Sequence, residues 1–381
     1  MNLKRFAVVA VSLVLVLCNM TTGIASGGVP EISAPSYVLM EQSTGKILCE
    51  KKSHEVRPAA SVMKIMILLV AAESLDSGLI SEKDIVNISD TAAETKGANV
   101  WLKSGESVSV EDLIKSIAMV SADDACVALA EFIGGSEGKF LAKINDRAKK
   151  LGMNDTIFKD CIGSDDDGNI TSAYDVALMS RELMEHKSVI PYISTWIDHI
   201  REGQTQIVNT NKLLKMYQGA IGIKTGTTDK AGSCISACAE RDKMVLIGVI
   251  LGGSDSKERF NEISSLLDYG FSGYTMVSPK VPEDLIKRVR VSNGMISEVK
   301  VAPQVEGEFL IPKGKENSVK CEVSISEELT APLDIGIKVG KVKYKLEDEI
   351  LAEYDIVTME SVKEIRFTLV LMELFVNFVK L

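Results

Sequence analysis

Apolar and polar positions alternate differently along the chain, and each change of texture marks an element. The first apolar run, Phe6 to Cys18, follows Lys4 and Arg5 and gives way to small and polar residues around Gly23-Ile24-Ala25. That order reads as a secretion signal over residues 1–26, too short to span a bilayer. Ser36 to Glu41 is strand-like, Gln42 to Gly45 is turn-like, and Lys46 to Cys49 returns, which predicts a hairpin. Ile65 to Val70 is apolar on every side, the mark of a helix buried in a core. Helical periodicity follows over Val110–Met119, from Asp123 to a stop at Gly134-Gly135, and over Gly138–Leu151. Ser172-Ala173-Tyr174-Asp175 resembles a capping box opening a further helix to about His186. Ala220–Thr228, Cys234–Ala239 and Met244–Leu251 read as strands, and Asn261–Tyr269 as a closing helix.

Strands at both ends of a helical middle predict an α+β domain over residues 30–276, one antiparallel sheet packed against helices. From Ile286 to Met359 the chain is short β-type runs such as Val289-Arg290-Val291, Val299-Lys300-Val301 and Val323-Ser324-Ile325. This predicts a separate small all-β sandwich domain over residues 277–359. Over residues 360–381, Lys363, Arg366, Glu373, Asn377 and Lys380 fall on one helical face and apolar residues on the rest. An amphipathic helix lying in a membrane interface fits that pattern, with a core or dimerisation helix as the alternative.

Composition narrows the function classes. The 381 residues are 46% hydrophobic and 25% charged with a net charge of −10, and no basic stripe is present to neutralise phosphates. A nucleic-acid partner is therefore not expected. His54, His186 and His199 are scattered and lack metal-ligand spacing, so no metal is expected. Cys49, Cys126, Cys161, Cys234, Cys238 and Cys321 remain after the signal. Most lie in apolar segments and are expected as free buried thiols, Cys126 and Cys238 as small core residues.

Candidate chemistry begins inside the buried run. Ser-x-x-Lys occurs five times, starting at Ser43, Ser61, Ser136, Ser254 and Ser297, so the pattern alone carries little. Only Ser61 opens a strongly apolar helix, where N-terminal amides can face a developing oxyanion. A lysine one turn along, Lys64, can be neutral because burial disfavours its charge, and a neutral amine can take the serine proton. Ser121-Ala122-Asp123 falls in the break between two helices, a place to present a hydroxyl. Lys224-Thr225-Gly226 sits on a strand that can pair with an extended, peptide-like substrate, glycine allowing close approach and Lys224 offering charge to a carboxylate. Each element alone also reads as a helix cap or a solvated charge. In this order and these contexts, the three together point to acyl transfer through a serine.

The trio Ser61-x-x-Lys64, Ser121-x-Asp123 and Lys224-Thr225-Gly226 resembles that of the serine D-alanyl-D-alanine carboxypeptidases, the low-molecular-weight penicillin-binding proteins. Further similar stretches are "SADDACVALAE" from Ser121, "TSAYDVALMSREL" from Thr171, "GIKTGTTDKAGSC" from Gly222 and "LLDYGF" from Leu266. The resemblance implies a β-lactamase/transpeptidase-like sheet with a helical subdomain, then a β-domain and an anchoring helix. It implies Ser61 as nucleophile, Lys64 as general base and Ser121 as proton relay. Lys224, Thr225 and Arg259 would hold the substrate's terminal carboxylate, with Gly226 beside them. The amides of Ser61 and Thr227 would form the oxyanion hole. No metal or organic cofactor is implied. The implied partners are stem peptides ending in D-Ala-D-Ala, β-lactams as inhibitors and the membrane surface, with the protein exported to the outer face of the cytoplasmic membrane.

Two positions depart from the family pattern. Asp123 stands where asparagine is usual, and a carboxylate only accepts hydrogen bonds where an amide also donates. It can pair with Lys64 or repel an anionic substrate. Asp160-Cys161-Ile162-Gly163-Ser164 stands where Asn-x-x-Gly-Leu is frequent. A peptidoglycan-binding protein weakened in catalysis is the alternative this leaves open. A β-lactamase fits less, because no Glu-x-x-Leu-Asn is evident for deacylation, and a transpeptidase or D-amino-acid esterase using the same acyl-enzyme is a further alternative.

Overall fold

The computed structural model describes residues 28–165, 168–278, 280–281, 288–305, 307–366 and 368. The expected signal over 1–26 lies outside them, as does most of the expected terminal helix beyond Arg366.

A five-stranded antiparallel sheet organises the larger part. Its order is Ile47–Lys51, Ser36–Glu41, Met244–Gly253, Gly232–Arg241 and Ala220–Thr228, the last at an edge. The N-terminal hairpin thus pairs with the third C-terminal strand, as Leu39 opposite Gly248. Both faces are apolar and both are covered. On one face lies the helix Glu258–Gly273, with Leu39, Leu246, Ile250, Ile263 and Leu267 in one core cluster. On the other lie Ile65–Asp76 and Ala173–Leu183, and beyond them Val110–Val120, Asp123–Gly134 and Glu137–Lys150. The apolar run Ile65–Val70 is wholly buried between the sheet and these helices, as its all-round hydrophobicity predicts.

Local chemistry sets the helix ends. Ser109, Ser136 and Ser172 each cap a helix by accepting from the amide three residues on. The expected capping box at Ser172 is only half realised. Asp175 accepts from Asp155 N and Thr156 Oγ1, pinning the preceding loop. Two hairpins escape the sequence pattern, Ile85–Asn87 with Ser107–Ser109 and Ile197–Ile200 with Thr205–Val208.

The second unit is all β. Val301–Pro303, Glu349–Thr358, Lys338–Leu346 and Val319–Ile325 form a four-stranded sheet, and Glu298–Val299, Val289–Ser292 and Glu328–Thr330 a three-stranded one. Val299, Val342, Tyr344 and Ile356 are among its core residues. Tyr274–Val277 pairs with Phe309–Pro312 and ties the two units together.

The expected terminal helix starts too early. Ser361 to Arg366 forms no helix: Val362 pairs with Leu333, Glu364 with Gly294, and Val362 is buried in the β-core. Lys363 and Arg366 are therefore not on a helix, because Val362 fills an apolar place that helical backbone would withdraw. Positions 373, 377 and 380 lie outside the described residues.

Candidate active site

Ser61 lies on a single 3₁₀ turn, Ala60–Lys64, that precedes the buried helix, not on the α-helix that the pattern suggests. The reason is local packing. Ala60 takes a left-handed φ of 50°, and Val62 N bonds back to Ala59 O at 3.2 Å. Gly163 is tucked against this turn, where a Cβ would lie 2.4 Å from Ala60 O. Gly226 closes the other side, where a Cβ would meet Ala59 O, Ser61 N and Val62 N, each at 2.9 Å. The nucleophile turn is thus wedged between two glycines from distant segments. Ser61 itself is half-buried.

Lys64 is fully buried, and its amine is where the motifs meet. Nζ lies 3.2 Å from Ser61 Oγ, 3.2 Å from Ser121 Oγ and 2.6 Å from Ser121 O. It is also paired closely with the Asp123 carboxylate. Burying an ammonium is costly unless it is paired and hydrogen-bonded, and here it is both. Ser121 reaches this point from a left-handed conformation, φ 64° and ψ 29°, at the break between Val110–Val120 and Asp123–Gly134. Left-handed backbone is unfavourable for serine, and such strain clusters at functional sites.

The Lys-Thr-Gly strand forms the facing wall. Lys224 is fully buried and donates to Thr225 O at 2.9 Å. Burial, and next the charge of Lys64, push its amine down to about 7. Thr225 Oγ1 is 2.9 Å from Thr210 Oγ1. Thr227 is exposed at the strand end. Arg259 projects from its helix under this strand, its Nη1 donating to Gly226 O at 3.0 Å, Thr227 Oγ1 at 2.8 Å and Cys234 O at 3.3 Å. Burial pushes its guanidinium down, and its Nε has no partner among the described residues. All nine residues singled out in the sequence therefore fall on this cleft or its walls.

Other residues carried no such local signal. Asp124 is buried and accepts from Val100 N at 3.3 Å and Leu102 N at 3.0 Å, while Asp123 Oδ2 accepts from Ala98 N at 2.9 Å. The two aspartates staple residues 98–102 to the cleft. Thr210 also bonds Met119 O through its amide. In the departing loop, Asp160 accepts from Gly163 N at 2.7 Å and Ile162 N at 2.9 Å. Burial opposes its charge, but the Ser164 hydroxyl and these amides outweigh it and hold the carboxyl below its usual range. Asp160 thereby shapes the turn that places Gly163. The six cysteines among the described residues are free, five of them buried and Cys321 half-buried.

The arrangement has a hydroxyl, an amine and a second hydroxyl in mutual reach, a strand edge open beside them, and positive charge on that strand. These are the parts of a serine acyl-transfer site. Glu73, Glu182 and His186 lie close enough to one another to hold a cation elsewhere, but Arg147 already joins both glutamates at 2.5 Å each.

Comparison with known proteins bears on the same features. Residues 24–255 match the family model Peptidase_S11, D-alanyl-D-alanine carboxypeptidase, and residues 274–364 match PBP5_C, the C-terminal domain of penicillin-binding protein 5. The chain is 37% identical over 338 residues to the D-alanyl-D-alanine carboxypeptidase DacF of Bacillus subtilis, covering 88% of this chain and 87% of that one. Penicillin-binding protein 5 from Haemophilus influenzae superimposes with a TM-score of 0.76 at 30% identity, over 88% of this chain and 99% of that one. Penicillin-binding protein D2 from Listeria monocytogenes, in its ampicillin-bound form, gives a TM-score of 0.59 at 28% identity, over 64% of this chain and 100% of that one.

Proposed function

The chain belongs to the Peptidase_S11 family of D-alanyl-D-alanine carboxypeptidases, serine hydrolases of the penicillin-binding group, and on that premise we propose that it removes the terminal D-Ala from peptidoglycan stem peptides through an acyl-enzyme on Ser61. The observation that carries this reading is the convergence of Ser61 Oγ and Ser121 Oγ on Lys64 Nζ, each at 3.2 Å.

The geometry supports the following steps. The Lys64 amine takes the Ser61 proton as Oγ bonds to the carbonyl carbon of the penultimate D-Ala. The amides of Ser61 and Thr227 receive the oxyanion. The C–N bond then breaks, and the departing amine takes a proton passed from Lys64 through Ser121. Water cleaves the Ser61 ester and releases the shortened peptide. Lys224, Thr225 and Thr227 face the substrate's terminal carboxylate along the open strand edge, and Arg259 holds that strand end from beneath through Gly226 O and Thr227 Oγ1. A β-lactam presents its ring carbonyl at the same point. Its leaving nitrogen stays tethered to the acyl group, so the adduct persists.

The apolar run Phe6–Cys18 and the amphipathic texture beyond Arg366 support export to the outer face of the cytoplasmic membrane, with the C-terminus on the lipid surface. Among the described residues, no helix is long and apolar enough to cross a membrane.

Intact-protein mass spectrometry with benzylpenicillin tests the mechanism. A persistent adduct of one penicillin, absent in Ser61→Ala, is expected. An adduct that forms and disappears rapidly would instead indicate β-lactamase turnover. No adduct at all would leave a protein that binds without acylation.

A further inference from the structure

The loop stapled by the two aspartates carries the most exposed of the large apolar side chains in the described chain. Trp101 is 80% exposed, whereas its neighbours Val100 and Leu102 are 5% and 4% exposed. Its backbone is left-handed, φ 54°, an unusual conformation for a bulky residue. Three contacts impose that conformation. Asp124 accepts from the amides on both sides of Trp101, at Val100 and Leu102, and Arg201 Nη2 donates to Trp101 O at 3.2 Å. Arg201 is itself fixed by Glu106, at 2.7 Å through Nε. The fold therefore holds an indole in water.

The position of this indole relates it to the cleft. Ala98 bonds Asp123 through both its amide and its carbonyl, and Asp123 is paired with Lys64. Trp101 is three residues from Ala98, at most ~11 Å of extended chain. The three stem residues that precede the penultimate D-Ala span a similar ~11 Å. Trp101 is thus within reach of the far end of a substrate acylating Ser61.

The chemistry of the loop selects between the groups at that end. A peptide would seek main-chain partners, as in strand addition. Here the amides of Val100 and Leu102 and the carbonyl of Trp101 are already taken. The dominant exposed group is the flat apolar indole, with Lys103 exposed beside it and Arg201 behind. A pyranose ring, apolar on one face and polar around its rim, matches that surface. Resting on the proposed function, we propose that Trp101 is a saccharide-stacking subsite that receives the amino sugar from which the stem peptide hangs. The enzyme thereby favours glycan-linked stems over free peptide.

The test uses the full mature chain and two substrates, a pentapeptide ending in D-Ala-D-Ala and the same pentapeptide carrying its N-acetylmuramyl sugar. D-Ala release is measured for wild type, Trp101→Ala and Trp101→Phe. The ratio of kcat/KM, sugar-bearing over free, is expected above one in wild type and about three- to tenfold lower in Trp101→Ala, mainly through KM. Trp101→Phe, which keeps a ring, is expected to retain most of it. A ratio of one in wild type, or a ratio unchanged in Trp101→Ala, would overturn the subsite while leaving the carboxypeptidase intact. An equal loss on both substrates would overturn it too, making Trp101 a support for the Asp123 loop. Failure of wild type to release D-Ala from either substrate would overturn the proposed function and the subsite with it.

Discussion

A single carboxylate defines how this site begins its cycle. Asp123 is paired with Lys64 and accepts from Ala98 N, so its charge faces the amine that must accept the Ser61 proton. A hydrogen bond to a charged group is stronger than its neutral counterpart by about 1 kcal/mol or more. Removing that charge while keeping the shape is expected to ease proton transfer. Asp123→Asn should raise the second-order rate of penicillin acylation about tenfold, read by stopped-flow or gel-based adduct formation. A fall would show that the carboxylate takes part in the cycle. Lys224 sets the other residue-scale expectation. Burial, then the charge of Lys64, push its amine down to about 7. It is cationic below that value and neutral above, and an anionic terminus is best held by the cation. For a peptide with a free C-terminal carboxylate, kcat/KM should therefore bend downward above about pH 7. Lys224→Arg, cationic throughout, should lose that bend whatever its absolute rate. A profile in Lys224→Arg that still bends at the same pH would assign the titration to another group.

At the scale of elements, the proposed mechanism requires two backbones held in register: the 3₁₀ turn of Ser61 and the strand of Thr227. Gly226 is the spacer between them. A Cβ there would meet three main-chain atoms at 2.9 Å, and none of the three can swing aside as a side chain would. Gly226→Ala should cost about 1–3 kcal/mol of stability through overpacking. It should also lower acylation about 100-fold or more by separating the two oxyanion amides. Gly138→Ala, in a helix with nothing within 4 Å of the added Cβ, is the control expected to leave Tm and acylation unchanged or to raise Tm slightly. Retained acylation in Gly226→Ala would mean that the oxyanion is held elsewhere. The same pair of elements shows what was legible from sequence. The grouping of Ser61, Lys64, Ser121 and Lys224 in one cleft was foreshadowed by motif order, because the proposed chemistry needs those residue types together. The long helices and the three C-terminal strands were readable from their periodicity. The 3₁₀ turn was not, because its shape comes from Gly163 and Gly226, about 100 and 165 positions further along the chain. Nor was the role of Asp124, whose partners Val100 and Leu102 lie on a loop without periodic pattern.

On the scale of the whole molecule, the two units meet through the pairing of Tyr274–Val277 with Phe309–Pro312 and through Lys313 Nζ, which donates to Phe271 O at 2.7 Å. A surface ion pair, Lys46 with Glu349, adds a second tie, of little energetic weight because both side chains are exposed. The main tie between the units is thus one short two-stranded sheet. Near residue 365 the chain still belongs to the β-unit. Val362 is 2% exposed in the β-core, and Ile365 N bonds Asn293 O at 2.8 Å, so residues through Ile365 are part of the folded unit. A deletion beginning at Ser361 would remove Val362 and confound loss of anchoring with damage to the β-core, a cost of about 1 kcal/mol or more for one buried aliphatic side chain. The informative deletion starts at Phe367. A chain ending at Arg366 should keep its Tm and its penicillin adduct while losing most of its binding to phospholipid vesicles in a flotation assay. Loss of the tail's apolar face is enough for this, since burying that face is what holds an interfacial helix. Vesicle binding undiminished by the deletion would move the membrane contact to the β-unit itself, whose exposed Ile296, Ile335, Ile337 and Met359 are the side chains to change next.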